Sequence, residues 1–206
     1  MKQAKNDVRA TKTFVNQVVA FLHLALQMGN YSTELLHNLP GLIEATVAQT
    51  ENALNGIEAR IKDADDLYCL GYGATYPIAL EGVLKLKEVT YAHCEGMLST
   101  EFKHGPLSAV NDGYPVIFVC RPGDVPVMIS GLNETTVRDG YTVVVAEKDA
   151  RLRANAHELI ALPNAGPLLS PLLAVLPLQM LAYRVSVARG YDPDFPRNLS
   201  KTLTVD

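Results

Sequence analysis

Four short apolar runs, Leu67 to Gly71, Val116 to Cys120, Thr142 to Ala146 and Leu159 to Leu162, constrain the fold of this chain more than any other feature. At four or five residues each, they are too short for buried helices and suit strands covered on both faces. Helical periodicity fills the gaps, at Tyr76 to Tyr91, roughly Val125 to Asp139, and Pro171 to Arg189. Strands alternating with helices predict an α/β fold, a doubly wound parallel sheet with flanking helices. Pro177 is expected to kink the last helix or to mark its boundary, because it lacks the N–H that a helix interior needs. Asp192-Pro-Asp-Phe-Pro196 then forbids helix and opens a C-terminal tail.

Ahead of the strands, Thr11 to Met28 carries Phe14, Val18, Phe21, Leu22 and Ala25 at helical spacing, and Leu39 to Lys62 carries Ile43, Val47, Leu54, Ile57 and Ile61. Gly29-Asn30 breaks the first helix, and Asn38 or Pro40 starts the second. The expected organisation is an N-terminal helical hairpin over residues 1–62, followed by the α/β domain with its tail over 63–206. With 206 residues and 48% hydrophobic content, the chain can close one sizeable core.

Composition narrows the partners. The net charge of −4 comes from 22 acidic and 18 basic residues that are interspersed, which leaves no basic face for nucleic acid. No apolar run reaches the roughly 18 residues of a bilayer span, and Met1 to Lys12 holds no apolar leader core, so no membrane is expected. Cys69, Cys94 and Cys120 are odd in number, and two of them sit in strand-like runs, which suits buried thiols and a cytoplasmic setting. The five histidines are scattered, so no metal site is expected.

Four places can carry chemistry. In Ser99-Thr-Glu-Phe-Lys-His-Gly-Pro106, Gly105 and Pro106 force a sharp break that directs His104 toward a cleft or the surface, where imidazole moves protons near neutral pH. Gly71-Tyr72-Gly73 joins a strand to a helix, a place either for an anion on backbone N–H groups or for a tight turn alone. On that helix Glu81, Lys85 and Glu88 share one face. They form either a solvated ion-pair stripe or a site in which Glu88 is a general base tuned by Lys85. Lys201 belongs to a tail whose Leu199, Leu203 and Val205 suggest docking. A docked lysine in a partly apolar pocket can attack a carbonyl as a free amine.

Tyr76-Pro-Ile-Ala-Leu-Glu-Gly-Val-Leu-Lys-Leu-Lys-Glu88, Glu101-Phe-Lys-His-Gly-Pro-Leu107 and Pro196-Arg-Asn-Leu-Ser-Lys-Thr-Leu-Thr-Val-Asp206 resemble the second sugar-isomerase (SIS) domain of the glucosamine-6-phosphate synthase family. The likeness runs from about Val8 to the end of the chain. It implies an SIS-type fold and the conversion of fructose 6-phosphate and ammonia to glucosamine 6-phosphate. By resemblance, His104 assists ring opening in a neighbouring subunit's site and Lys201 forms a Schiff base with the ketose. Glu88 moves a proton between C1 and C2 with help from Lys85, and Val8 and Ser200 contact substrate. The family needs no metal and no organic cofactor for this step.

The same resemblance implies a hexose 6-phosphate as ligand, a homodimer, and residues 1–62 as a linker from a first SIS domain. The family places a glutaminase domain and that first SIS domain ahead of this region, and its Ser/Thr-rich phosphate loop belongs to the first domain. Gly71 to Tyr76 offers only Thr75 as a hydroxyl donor besides its tyrosines, and Lys5 stands where the family favours glutamate. Two further readings stand beside this one: part of a double-SIS glucosamine-6-phosphate deaminase, or a non-catalytic sugar-phosphate-binding module.

Overall fold

The computed structural model describes residues 11–199. Five strands form one parallel sheet in the order β2-β1-β3-β4-β5: β1 (Asp66–Gly71), β2 (His93–Leu98), β3 (Pro115–Val119), β4 (Tyr141–Glu147) and β5 (Glu158–Leu162). The central registers pair Tyr68 with Val116 and Val116 with Thr142. Side chains alternate faces along a strand, so each central strand feeds two cores. Leu67, Cys69, Ile117, Val119, Val143 and Val145 pack on one face, and Tyr68, Leu70, Val116, Phe118 and Val144 pack on the other.

Seven helices and several short single-turn segments surround the sheet among the described residues: α1 (Thr11–Met28), α2 (Leu39–Ala53), α3 (Ile57–Ile61), α4 (Tyr76–Thr90), α5 (Val125–Thr136), α6 (Ala150–Asn155) and α7 (Gly166–Ala188). Helices α3, α4 and α7 close the first face, together with Leu54 just beyond the end of α2. Helices α5 and α6 close the second, together with the 102–110 segment through Phe102, Leu107 and Val110. The expected doubly wound α/β architecture is therefore present.

Three local expectations need correction. A fifth strand, β2, lies at the sheet edge; His93 and Glu95 are exposed on it, so it lacks the continuous apolar run of a central strand. The helix expected over Leu39 to Lys62 is two helices, because Gly56 takes φ +92, a conformation a helix cannot contain. Helix α7 begins at Gly166 and runs through both Pro171 and Pro177. Both prolines are buried with Leu172, Leu173, Val175 and Leu178, and packing on several sides outweighs the backbone bonds the rings remove.

Helix α7 is long and apolar enough to cross a membrane by length and composition, with 67% of its apolar window buried inside the fold. Its start is capped from β4, where Glu147 Oε1 accepts from the N–H groups of Ala165 and Gly166 at 3.0 Å each. Beyond its C-terminal end Arg189 donates to the carbonyls of Lys62, Thr90 and Ala64, joining the ends of α3, α4 and α7. Cys69, Cys94 and Cys120 are buried free thiols.

Candidate active site

Helix α4 begins at the β1 exit, where the turn is tight enough to demand glycine: a Cβ on Gly71 would lie 2.4 Å from the Thr75 carbonyl oxygen. Thr75 is fully buried. Its Oγ1 accepts from the Tyr72 N–H at 3.0 Å and lies 2.9 Å from the Tyr72 carbonyl and 2.8 Å from that of Val119. A hydroxyl has one hydrogen to give, and here it holds β1 to β3. The loop is thus a strand-to-helix staple, with no hydroxyl left over for a phosphate from Thr75.

Farther along α4, Lys85 lies between two carboxylates. Its Nζ donates to Glu88 Oε2 at 2.7 Å and lies 3.7 Å from Glu81 Oε1. The lysine is only 4% exposed. The Glu81 and Glu88 side chains are 11% and 21% exposed, so the charged face is no solvated stripe. On the adjoining face, Gly82 lets α7 approach α4: a Cβ there would meet Leu178 Cδ1 at 2.5 Å. One carboxylate oxygen of Glu88, Oε2, is thus held by Lys85.

Burial pushes the Glu81 carboxyl above its ordinary value; Lys85 pulls it back and Glu88 pushes it further. Glu81 is the more enclosed of the two acids and was singled out in the sequence only as a partner for Lys85. The i, i+4 spacing gave the pairing, but burial is a property of the packed fold, which the spacing does not contain.

His104 ends a single-turn segment, Phe102–His104, and is exposed, with its N–H on the Glu101 carbonyl at 3.0 Å. Gly105 at φ +149 makes the sharp break. Phe102 anchors the turn by packing edge-on against Tyr68, ring centroids 5.0 Å apart, in the core of the α5 face. Helix α4 packs on the opposite face. One chain therefore brings Lys85 and Glu88 together and keeps the sheet between them and the turn that carries His104.

The start of the tail docks at the end of α4. Pro193 and Pro196 are buried, and the Arg197 N–H donates to Tyr91 Oη at 2.9 Å. Tyr91 follows Glu88 by three residues, about 4.5 Å of helix rise. Val8, Ser200 and Lys201 lie outside the described residues. A separate cleft of about 500 Å³, lined by Glu51, Glu58, Gln179, Tyr183 and Arg184 among others, contains none of the residues expected from the sequence.

The parallel sheet and its crossover helices agree with the comparison to known families, in which the SIS domain model matches residues 60–189. The chain belongs to the SIS domain family. Within it, glutamine-fructose-6-phosphate aminotransferase (isomerizing) of Synechocystis sp. is 39% identical over 212 residues, covering 97% of this chain and 34% of the relative. The chain thus spans about a third of the length of the curated relatives it matches. Among solved structures, the C-terminal domain of glucosamine-fructose-6-phosphate aminotransferase from Francisella tularensis superposes with a TM-score of 0.82 at 29% identity, over 91% of this chain and 56% of that one. A glucosamine-6-phosphate deaminase from Thermotoga maritima shares the fold, with a TM-score of 0.74 at 23% identity, over 97% of this chain and 59% of that one.

Proposed function

We propose that this chain is the C-terminal SIS half of a glucosamine-6-phosphate synthase isomerase module, in which fructose 6-phosphate and ammonia yield glucosamine 6-phosphate and water. The observation that carries the reading is the buried Lys85–Glu88 pair, with the tail tethered to the same end of the same helix. From Arg197, four residues of chain span at most about 14 Å, a reach that supports giving the Lys201 amine a role beside Glu88. That amine attacks C2 of the open-chain ketose, forming a C–N bond and expelling water as the iminium forms. Ammonia adds to C2 of that iminium and expels the Lys201 amine, and the new imine acidifies C1; Glu88 then takes the C1 proton and returns it to C2, leaving the aldehyde at C1 and the amine on C2. Lys85 orients the Glu88 carboxylate through Oε2. Val8 and Ser200 contact the sugar.

His104 would act on a second copy's substrate, opening the sugar ring, which suits its place on the far face of its own sheet. A homodimer follows from that role. Residues 1–62 serve as the linker from a first SIS domain, whose loop holds the phosphate that the Gly71 turn does not, and ammonia comes from a glutaminase domain. The setting is cytoplasmic. No metal or organic cofactor takes part.

The test is interconversion of fructose 6-phosphate and glucose 6-phosphate by wild-type chain and Lys201→Ala, alone and mixed with a first SIS domain. Loss in the variant supports the reading. Equal residual rates in both would remove Lys201 from the mechanism, and ammonia release from glucosamine 6-phosphate without synthesis would favour a deaminase.

A further inference from the structure

We propose that Arg197 is a positioning residue: by stacking on Tyr91 and Tyr191 it pins the C-terminal tail to the end of α4 and so fixes where the tail amine is delivered. The proposal rests on the role given above to Lys201. Its geometry stands independently of that role. The Arg197 guanidinium carbon lies 4.3 Å from the Tyr91 ring centroid and 5.1 Å from that of Tyr191. The two rings pack against each other at 4.9 Å. Arg197 is bound twice to Tyr91, through its backbone N–H on the phenol oxygen and through its side chain on the ring face.

The two aromatic residues come from different helix ends. Tyr91 caps α4, and Tyr191 follows α7, its N–H on the Ser186 carbonyl at 3.0 Å. The two rings therefore bring the ends of both helices to one guanidinium, whose charge faces both ring systems. Between Tyr191 and Arg197 the path is stiff, with Pro193 and Pro196 buried and the Asp194 N–H turned onto Asp192 Oδ1 at 2.9 Å.

The caps themselves show that the ring at position 91 is retained at a cost. Helix α7 ends conventionally, with Gly190 at φ +75. Helix α4 ends with Tyr91 at φ +60, a left-handed conformation that strains a residue with a Cβ and that glycine would adopt freely. A tyrosine held there serves something other than helix termination. In this fold that is the arginine three residues from Ser200.

The experiment uses the full chain, mixed with a first SIS domain for the trapping arm, as wild type, Arg197→Ala, Arg197→Lys and Tyr91→Gly. Hydrogen exchange over residues 192–206 reads the pinning. Borohydride reduction in the presence of fructose 6-phosphate reads amine delivery: hydride converts the Lys201 imine to a stable secondary amine, with Lys201→Ala as the blank. Arg197→Ala should speed tail exchange about tenfold, as expected for losing two ring contacts while the backbone N–H to Tyr91 Oη is kept. It should lower the maximal trapping rate by a similar factor, with the half-saturating sugar concentration within about twofold and the unfolding midpoint unchanged. Arg197→Lys should recover part of both losses. Tyr91→Gly should free the tail without lowering the unfolding midpoint, because it relieves the cap. Unchanged tail exchange in Arg197→Ala overturns the pinning, and faster exchange with undiminished trapping overturns the positioning role. If wild-type Lys201 is never trapped, the Schiff-base reading falls, while exchange still decides whether Arg197 pins the tail.

Discussion

Helices α1 and α4 reverse the usual sorting of side chains in opposite directions. Helix α4 buries a lysine at 4% exposure between two glutamates, whereas α1 leaves Phe21 71% and Met28 77% exposed. Enclosing charge costs solvation, and exposing large apolar surface forgoes burial; a chain keeps such features where they serve contact or chemistry. The difference teaches where to look. Under the proposed function, the charged helix is where chemistry is to be tested, and the apolar one is where a second copy is to be tested.

The largest effect expected from this contrast is on α4. Lys85→Ala removes the cation and leaves two enclosed carboxylates facing one another. The expected loss is about 3 kcal/mol, in the range for breaking one partner out of a buried ionic group. Urea denaturation at pH 7 measures it. A loss below about 0.5 kcal/mol would return the triad to an ordinary surface stripe and dissolve the contrast between the helices.

That triad also shows how far the sequence could be read. Spacing placed Glu81, Lys85 and Glu88 on one face, since residues three and four apart on a helix are neighbours. Their enclosure belongs to the packed fold, in which α7 meets α4 at Leu178 and Gly82, almost a hundred residues apart in the chain. The central strands were legible as apolar runs because both their faces are covered; β2 was not, because an edge strand carries exposed His93 and Glu95. Proline chemistry misplaced the start of α7, where burial overrode a local rule. Docking was expected through Leu199, Leu203 and Val205, but Leu199 is exposed and the other two lie outside the described residues; the start of the tail is secured by the Tyr91–Tyr191–Arg197 contact, which joins positions a hundred residues apart.

A smaller effect is expected on α1. Phe21→Ser combined with Met28→Ser removes exposed apolar groups that make little contribution within one chain, so unfolding of the monomer should shift by less than about 0.5 kcal/mol. If a second copy covers α1, the dimer should weaken by about 2 kcal/mol, near 30-fold in dissociation constant. Sedimentation across a concentration series reads this. Identical association in wild type and variant would mean that the partner lies elsewhere and that α1 is apolar for another reason.

The smallest effect decides which force governs Glu81. Burial, its largest influence, raises the carboxyl above its ordinary value of 4.5, against the pull of Lys85 at 3.7 Å. An acid with a raised value in the folded chain holds its proton more tightly there than in the unfolded chain. Its contribution to stability is therefore complete below about pH 4.5 and is lost as pH climbs through the raised value. Glutamine imitates the protonated acid at every pH. Glu81→Gln should match wild type near pH 4 and gain on it toward pH 7, by less than the Lys85→Ala loss, in paired denaturation curves. If instead the variant falls behind wild type as pH rises, attraction to Lys85 outweighs burial, and Glu81 shares that lysine with Glu88 as an ionised partner.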